Sequence, residues 1–348
     1  FKQKTAYEIP KRDWSSDVCS SDLVHVPEVL YHWRAITGST ALAHEEKPYA
    51  FLAAVRAVEE ALDRRGVRAT VAKAEPYPFQ KVVRALDTEP RVSIIIPTCG
   101  THKSVFGVDT CLVAHCVESI LTHTSYGNYE VLVIIDDHSP DEAWNALHGI
   151  ADHRVRLVPY DKTFNFSAKC NLGVALTDSE FVLLLNDDTE IFEEEWLRTM
   201  MSYTIEPDVA MVGPMLLLED GRIQSAGHSN TPIPHNFRTG ESSNGPGEFG
   251  VLAVARECSG VTGACALIRR TAYDEVGGMS TVFPKSFNDV DFAFKLLDRG
   301  LRIIWTPHAR LFHFETASRP LGVESSEVEL LHDRWQRRFN NDEYCRLQ

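Results

Sequence analysis

The chain alternates between short, continuously apolar runs and longer stretches whose apolar residues recur every three or four positions. Three of the runs, residues 91–98, 130–135 and 181–185, have the composition of strands buried on both faces, as in a parallel sheet. Residues 110–122 and 140–150 lie between them and have helical spacing. This order of strands and helices predicts an α/β fold with a doubly wound, mostly parallel sheet flanked by helices.

The remainder of the chain has a less regular pattern. We expect further short strands at 155–159, 210–218, 261–269, 301–305 and 309–315, and further helices at 165–176, 193–205 and 286–300. Residues 228–250 are rich in Gly, Ser, Asn and Pro, which predicts a long and mobile loop.

The two ends of the chain differ in pattern from its middle. Residues 1–23 have neither helical nor strand periodicity, resemble a translated sequencing adapter, and are predicted to be a disordered artefact. Residues 24–90 are predicted to form a small N-terminal extension and linker, because prolines without a clear period precede residue 90. The main domain is expected at 91–320 and an amphipathic helical tail at 321–348.

Composition narrows the classes of function. The 348 residues are 44% hydrophobic and 24% charged, which is ordinary for a globular protein, and the net charge of −14 argues against a nucleic-acid partner. No apolar run approaches the roughly 18 residues of a membrane span. The eight cysteines show no CxxC pairing, which indicates reduced thiols and a cytoplasmic location. Peripheral contact with the inner face of a membrane stays open.

Polar residues stand where the three buried runs end. These endings are Pro97-Thr98, Asp136-Asp137 and Asn186-Asp187-Asp188. The carboxyl ends of parallel strands share one edge of a sheet, where open α/β proteins bind ligands. Adjacent carboxylates suit Mg²⁺ or Mn²⁺, and such an ion would hold a phosphorylated substrate. The alternative is a solvated exit from the strand without a ligand.

Seven stretches follow one another in an order typical of a known family. They are VSIIIPT (92–98), YEVLVIIDDHS (129–139), FNFSAKCNLG (164–173), LLNDDTEI (184–191), GVTGACALIRR (260–270), VGGM (276–279) and FNDVDFAFKLLDRGLRI (287–303). In these stretches the chain resembles glycosyltransferase family 2, the nucleotide-sugar-dependent enzymes of the GT-A fold, and particularly the rhamnosyltransferase-like members of O-antigen and surface polysaccharide biosynthesis. Residues 24–34 also resemble the end of a preceding glycosyltransferase unit, so the extension is interpreted as its remnant.

The resemblance implies which residues hold the nucleotide sugar. Asp137 would contact the base, with Pro97 and Thr98 beside it. Lys169 and Asn171 lie where the family often has an Arg-Asn pair near the diphosphate, with Lys169 shifted by one position. The amide of Asn171 could equally stabilise the start of a helix. The sequence has no glycine-rich phosphate loop, so strand-end residues are expected to hold the nucleotide instead.

The resemblance also implies a metal site. Asn186 takes the first place of the family's DxD-type motif, where Asp is common, and Asp187 is expected beside it in the nucleotide-sugar site. Asp188 takes the last place of the motif, the metal ligand. His313 matches a position where related sequences carry a histidine near the metal and the diphosphate. The cofactor is therefore expected to be Mg²⁺ or Mn²⁺.

By the same resemblance, Asp289 is the general base. It lies in a segment that matches the family's ED-x-D motif, with Asn288 where Glu is usual. An inverting transfer needs one carboxylate opposite the departing diphosphate to take the proton of the acceptor hydroxyl. Asp291, two residues further on, is expected to cap the following helix or to orient its loop.

Together these features predict an inverting, metal-dependent glycosyltransferase. It would move a sugar from a UDP-, GDP- or dTDP-linked donor to a glycan or lipid-linked oligosaccharide acceptor. Two alternatives remain: a nucleotidyltransferase, which also uses strand-end carboxylates and Mg²⁺, and a non-catalytic module that binds a nucleotide sugar. Asn186 and Asn288 stand at positions where the family usually has acids, which favours the second alternative.

Overall fold

A computed structural model describes residues 48–314, 323–340 and 342–344 of the chain. The segment interpreted as an artefact, 1–23, and the one interpreted as a remnant, 24–34, lie outside the described residues. No helix in the described part is both long enough and apolar enough to cross a membrane.

Eight α-helices are defined in the described residues. They are α1 (Pro48–Arg64), α2 (Leu112–His123), α3 (Asp141–Gly149), α4 (Phe166–Ala175), α5 (Trp196–Tyr203), α6 (Arg270–Glu275), α7 (Asn288–Leu297) and α8 (Ser325–Trp335). Short 3₁₀ turns lie at Glu248–Gly250 and Gln336–Arg338.

The strands of the first half of the chain are β1 (Ala69–Lys73), β2 (Gln80–Arg84), β3 (Val92–Thr98), β4 (His102–Val105), β5 (Val108–Cys111), β6 (Tyr129–Asp136), β7 (Val155–Tyr160) and β8 (Phe181–Leu185). Those of the second half are β9 (Thr189–Ile191), β10 (Val209–Leu217), β11 (Ile223–Ser225), β12 (His228–Ser229), β13 (His235–Asn236), β14 (Arg256–Glu257), β15 (Cys265–Arg269) and β16 (Arg302–His313).

One ten-stranded sheet forms the centre of the described fold. Its main path runs β14-β16-β10-β15-β8-β3-β6-β7, with β11 paired to β10 and β9 paired to β16. The pairs among β8, β3, β6 and β7 are parallel, as is the pair of β10 with β16, whereas β15 runs antiparallel between β8 and β10. The predicted α/β sheet of the GT-A type is confirmed, and its antiparallel strand β15 brings a turn of the chain to the end of β8.

Apolar side chains pack on both faces of the sheet. On β3, Ile94 and Ile96 face one core with α2, while Ile95 faces the other core with α4, and all three are fully buried. Burial of each such side chain contributes about 1.5–3 kcal/mol relative to exposure. The helix α4 lies close to the sheet because Gly173 has no side chain, and a Cβ there would come within 2.5 Å of Ile95. The carboxyl end of β3 is therefore supported by packed side chains on both faces of the sheet.

The structure differs from the predicted elements in three places. The stretch after β3 forms the hairpin β4–β5 rather than an open loop. The two strands expected near the C-terminal end are one strand, β16, whose pairing with β10 shifts register between Thr306 and Arg310. The expected loop 228–250 contains the paired strands β12 and β13. In each case backbone pairing orders a stretch that has no periodic pattern of its own: the two hairpins pair locally, and β16 pairs with the distant strand β10.

Candidate active site

The polar residues that end β3, β6 and β8 meet at one edge of the sheet. The hydroxyl of Thr98 donates a 2.5 Å hydrogen bond to Oδ2 of Asp187, across 89 residues of chain. The ammonium of Lys169, on α4, donates to the carbonyl of Thr98 at 2.7 Å and pairs with Asp136 at 2.6 Å. Lys169 has no exposed side-chain surface, so its charge lies inside this edge. Three strand ends predicted to converge thus do so around a buried cation.

Asp187 shows that the edge carries excess negative charge. Burial raises the pKa of its carboxyl to about 7, and the neighbouring carboxylate of Asp188 contributes to that rise. The hydrogen bond from Thr98 and the charge of Lys169 act in the opposite direction, but they do not cancel these two effects. A second positive charge close to Asp188 would relieve the repulsion.

The strand β9 places His313 beside Asp188. It pairs antiparallel with the end of β16, with His313 opposite Thr189, and the N–H of Phe314 donates to the carbonyl of Asp188 at 2.9 Å. Nε2 of His313 lies 3.2 Å from Oδ1 of Asp188, and both side chains are only 8% exposed. The side-chain nitrogen of Asn186 lies 3.2 Å from the same Nε2.

The pair of Asp188 and His313 fits a divalent cation. Two ligands at about 2.0–2.2 Å from one ion and at right angles to each other are about 3 Å apart, close to the observed 3.2 Å separation. Carboxylate oxygen and imidazole nitrogen are both ligands of Mn²⁺-type ions. In the described residues no group of three or more His, Cys, Asp and Glu side chains is arranged to hold a metal. The protein would thus supply two ligands and leave the other positions to phosphate oxygens and water.

The predicted nucleotide contacts lie along the same edge. Asp137 follows β6 and is exposed, and its backbone N–H donates to the carbonyl of Tyr160 at 3.0 Å. Pro97 and Thr98 are buried at the end of β3, where they pair with Ile134 and Ile135 of β6. The side chain of Asp137 is thus accessible to a ligand, while Thr98 is buried in the sheet beneath it. Their roles toward a nucleotide stay predictions.

Asn171 is placed differently from the strand-end residues. Its Oδ1 accepts a 2.5 Å hydrogen bond from the hydroxyl of Tyr273 and a 3.0 Å bond from the N–H of Met279, and its Nδ2 donates to the carbonyl of Met279 at 2.9 Å. The amide therefore ties α4 to the loop after α6. Its predicted contact with a diphosphate stays a prediction.

One short turn, Gly263-Ala264, connects Asp289 to Asn186 at the end of β8. Oδ2 of Asp289 accepts from the N–H of Gly263 at 2.9 Å, and its Oδ1 accepts from the N–H of Val290 at 2.8 Å. The next residue in that turn, Ala264, accepts at its carbonyl a 3.0 Å bond from the N–H of Asn186. The antiparallel strand β15, which starts at this turn, is what brings α7 and its carboxylate to the end of β8.

The backbone in front of α7 is strained. Phe287 has φ of 57° and ψ of 8°, in the left-handed region that side chains other than glycine rarely adopt. Such a conformation costs on the order of 1–3 kcal/mol and persists where surrounding contacts impose it, often at functional sites. Here it precedes Asn288 and Asp289 directly.

Asp291, which was expected to cap α7 or to orient its loop, instead binds two residues of the C-terminal helix. It is fully buried, and its Oδ1 accepts from Nε1 of Trp335 at 2.8 Å and from Nε of Arg334 at 3.0 Å. Both partners belong to α8. This carboxylate therefore joins the C-terminal helix to the helix that carries Asp289.

Two contacts of the site could not be predicted from the sequence. Lys169 stands one position away from the family's usual arginine, and only the fold shows that it pairs with Asp136. His228 lies in the stretch expected to be a mobile loop, yet it is buried, with Nε2 3.9 Å from Oδ2 of Asp289. No spacing signal connects residue 228 to residue 289, so this neighbour could not be found from the pattern.

Two large cavities lie away from this edge. One of about 560 Å³ is lined by residues 65–68 and 204–208, among others, and one of about 570 Å³ by residues 73–77 and 243–245, among others. Neither is lined by any of the predicted site residues. The candidate site is thus the exposed edge above β3, β6 and β8, bordered by α7.

The sheet, its polar edge and the crossing strand β15 define a glycosyltransferase domain of the GT-A fold. The family described as Glycosyl transferase family 2 matches residues 93–277, which is more than half of the chain. The chain belongs to glycosyltransferase family 2.

Two curated relatives cover most of this chain. Protein y4gI of Sinorhizobium fredii (strain NBRC 101917 / NGR234), described as uncharacterized, is 36% identical over 332 residues, 90% of this chain and 35% of that protein. The O-antigen biosynthesis protein RfbC of Myxococcus xanthus is 32% identical over 304 residues, 86% of this chain and 23% of that protein. The chain thus spans about a third or less of the length of these relatives.

A solved structure agrees in fold. The crystal structure of GalNAc-T7 with UDP, GalNAc and Mn²⁺ matches with a TM-score of 0.52 at 11% sequence identity, covering 67% of this chain and 45% of that one. At this identity the similarity concerns the fold alone.

Proposed function

We propose that this chain transfers a sugar from a nucleotide-sugar donor to an acceptor hydroxyl with inversion at the anomeric carbon. One observation carries the proposal: the turn Gly263-Ala264 holds Asp289 on one side and the backbone of Asn186 on the other. A candidate base and a candidate metal ligand set are thereby fixed to one edge of the sheet. Inversion requires a base and a leaving group on opposite faces of one sugar, and a base and a metal site held at one edge are compatible with that requirement.

We propose that Asp188 and His313 hold Mg²⁺ or Mn²⁺. When bound there, the ion would neutralise the charge that develops on the departing nucleoside diphosphate. The high pKa of Asp187, raised by burial and by Asp188, supports a site that has room for a second positive charge beside that of Lys169. GalNAc-T7 was solved with Mn²⁺ and UDP, but the proposal rests on the residues of this chain.

The nucleotide would lie along the ends of β3 and β6. Asp137 is exposed and able to accept from a base, while Pro97 and Thr98 form the surface beneath it. Asn186 and Asp187 would contact the ribose and the diphosphate side of the donor. Asn171 would act from α4, through an amide that already holds the loop at Met279.

Asp289 would take the proton of the acceptor hydroxyl. Each carboxylate oxygen can accept two hydrogen bonds, and one place on each is filled by a backbone N–H. Each oxygen therefore keeps one lone pair for a further hydrogen bond. The two N–H donors fix the direction of these lone pairs. The transition state of such a transfer has oxocarbenium character, as in other glycosyl chemistry.

The acceptor and pathway are proposed from the relative of known role. RfbC is named for O-antigen biosynthesis, and we propose a glycan or lipid-linked acceptor in surface polysaccharide synthesis, with a UDP-, GDP- or dTDP-linked hexose or deoxyhexose such as rhamnose as donor. We place the reaction in the cytoplasm, at or near the inner face of the membrane. The proposed catalytic domain spans 91–320, preceded by the extension 24–90 and followed by the tail 321–348.

Asp289→Asn tests this function. The variant should bind the donor nearly as well as the wild type, because an amide oxygen can still accept from Gly263. Transfer should fall by at least about 100-fold, the usual contribution of a general base. A thermal-shift screen of UDP-, GDP- and dTDP-sugars with Mn²⁺ measures binding, and product assays measure transfer or donor hydrolysis.

Three outcomes would contradict the proposal. Wild-type turnover in Asp289→Asn would remove the base assignment. Release of pyrophosphate instead of a nucleoside diphosphate would identify a nucleotidyltransferase. Donor binding without transfer or hydrolysis by the wild type would identify a binding module.

A further inference from the structure

His228 lies behind the proposed base on a segment held from both sides. Its backbone N–H donates to the carbonyl of Gly260 at 2.8 Å, and β12 pairs with β13. Two residues further on, the N–H of Asn230 donates to Oδ2 of Asp342 at 2.7 Å. The other oxygen of Asp342 accepts from Ser259 at 3.0 Å. The position of the imidazole is thus fixed by strands and by the C-terminal segment.

Gly260 lets this imidazole approach α7. A Cβ at residue 260 would lie 2.8 Å from Nδ1 of His228 and 3.0 Å from Cβ of Ala293 on α7. Without a side chain there, the ring reaches the side of the helix, and its Nε2 lies 3.9 Å from Oδ2 of Asp289. A movement of about 1 Å would bring the two atoms to hydrogen-bond distance.

We propose that His228 is a positioning residue that receives the acceptor proton from Asp289. This inference rests on the proposed function. In the transfer the acceptor O–H bond breaks, and its oxygen forms the new bond to the anomeric carbon. The bond from that carbon to the diphosphate breaks, and its electron pair leaves with the diphosphate. The proton passes from Asp289 to Nε2 of His228 and then to water, which regenerates the carboxylate.

The charge state of His228 agrees with this role. Burial lowers its pKa below the usual 6.5, while the charge of Asp289 raises it in part and that of His235 lowers it. The imidazole is therefore neutral at pH 7 and able to accept a proton. The ionisable groups that face it are Asp289 on α7 and His235 on β13. Asp342 approaches the same segment, and its oxygens accept from Asn230 and Ser259.

His228→Gln tests the proposal, with His235→Gln as the matched control because His235 is exposed on the paired strand. The probe is hydrolysis of the nucleotide sugar that gives the largest thermal shift with Mn²⁺ among UDP-, GDP- and dTDP-sugars, with water as acceptor. His228→Gln should lower kcat about tenfold and leave the KM for the donor unchanged. His235→Gln should change neither.

The pH profile separates a proton acceptor from a merely structural residue. Wild-type kcat should fall as the pH drops below 6.5, because a protonated His228 accepts no further proton. In His228→Gln this acid limb, which lies below pH 6.5, should vanish. A lowered kcat with an unmoved acid limb, or an unchanged kcat, would overturn the proposal.

Three further outcomes decide between this inference and the proposed function. If His228→Gln fails to fold, the wild-type profile still decides, since a profile that stays flat from pH 6.5 down to the pH at which the protein unfolds contradicts the role. If the wild type neither transfers nor hydrolyses any donor, the proposed function fails instead. Loss of hydrolysis in Asp289→Asn but not in His228→Gln would overturn this inference alone.

Discussion

Lys169 brings a full positive charge into the edge where the strands end. Its partners are the carboxylate of Asp136 at 2.6 Å and the carbonyl of Thr98 at 2.7 Å, and its ammonium lies 5.3 Å from the ring centroid of Tyr160. A buried ammonium is tolerated only with such a set of partners. Its charge also lowers the pKa of Asp187, against the larger effects of burial and Asp188. Lys169 thus makes it possible for two adjacent carboxylates to lie at this edge.

The burial of His308 should make the free energy of unfolding depend on pH. Burial lowers its pKa from 6.5 to about 4, with a smaller effect from Lys81. Between pH 6.5 and 4 the unfolded chain takes up a proton that the folded chain does not, so the free energy of unfolding should fall as the pH drops. The loss is up to about 3 kcal/mol. Urea unfolding of His308→Gln at pH 7 and pH 4.5 should show a smaller decrease than the wild type.

His153→Gln is the control for this experiment, because the side chain of His153 is 93% exposed. It should follow the wild type at both pH values. Equal acid sensitivity of His308→Gln and the wild type would show that His308 does not contribute.

At the scale of single residues, strand ends were the predictable part of the site. Asp187 and Asp188 come directly after a buried run, and parallel pairing brings them to Thr98 without further information. The partners of Lys169 and His228 could not be predicted from the sequence, because they depend on how the helices and strands pack. The first depends on how α4 sits on β3, and the second on how β12 sits against α7.

A buried carboxylate adds to the apolar packing that joins α7 to α8. Nε1 of Trp335 donates to Asp291 at 2.8 Å, and its ring packs edge-on against Phe294 at 5.4 Å between centroids. Trp335→Phe keeps an aromatic ring but removes the donor. Because hydrogen bonds to charged groups contribute about 1.5–3 kcal/mol, the urea midpoint should fall correspondingly.

Trp144→Phe serves as the matched variant, since Trp144 is only partly buried and stacks on His148 at 5.8 Å. It should change the midpoint by less than Trp335→Phe. A result in which the two variants behave alike would mean that the hydrogen bond to Asp291 does not stabilise the helix pair.

At the scale of elements, the helices and buried strands were predictable and the irregular segments were not. The apolar spacing on α2 placed Val113, Cys116 and Ile120 in the core, where they are buried. The hairpin β4–β5 and the pair β12–β13 consist of polar, glycine-containing stretches. Their order comes from local hairpin pairing, which the polar residues of these stretches do not mark by alternation.

Ion pairs contribute to the attachment of the N-terminal segment to the rest of the described molecule. Cavities of about 560 and 570 Å³ lie between residues 65–90 and the sheet, so apolar packing is incomplete there. Between them, Glu206 accepts from Arg84 at 2.8 Å and from Arg302 at 2.9 Å, with its side chain 12% exposed. Burial raises the pKa of Glu206, but the hydrogen bonds from Arg302 and Arg84 hold it below its usual value.

Glu206→Gln should therefore loosen this segment. Removing one partner of a half-buried ion-pair network leaves both arginines underpaired and costs about 1–3 kcal/mol. We expect a lower urea midpoint and faster cleavage by trypsin at Arg84 and Arg91. Glu60→Gln should have no effect, because the ion pair of Glu60 within the described residues is an exposed one with Arg64 at 3.9 Å. Unchanged cleavage in Glu206→Gln would contradict a charge-based attachment.

The bond between Asn230 and Asp342 has a consequence for biosynthesis, since it spans 112 residues of chain. Ribosomes add about 5–20 residues per second, so on the order of ten seconds separate the emergence of the two partners. Within that interval the chain also adds β14, β15 and β16, so the sheet can be completed before this bond forms. An arrested ribosome-bound chain ending before residue 342 would therefore present a folded sheet in which the segment that carries His228 still lacks this bond.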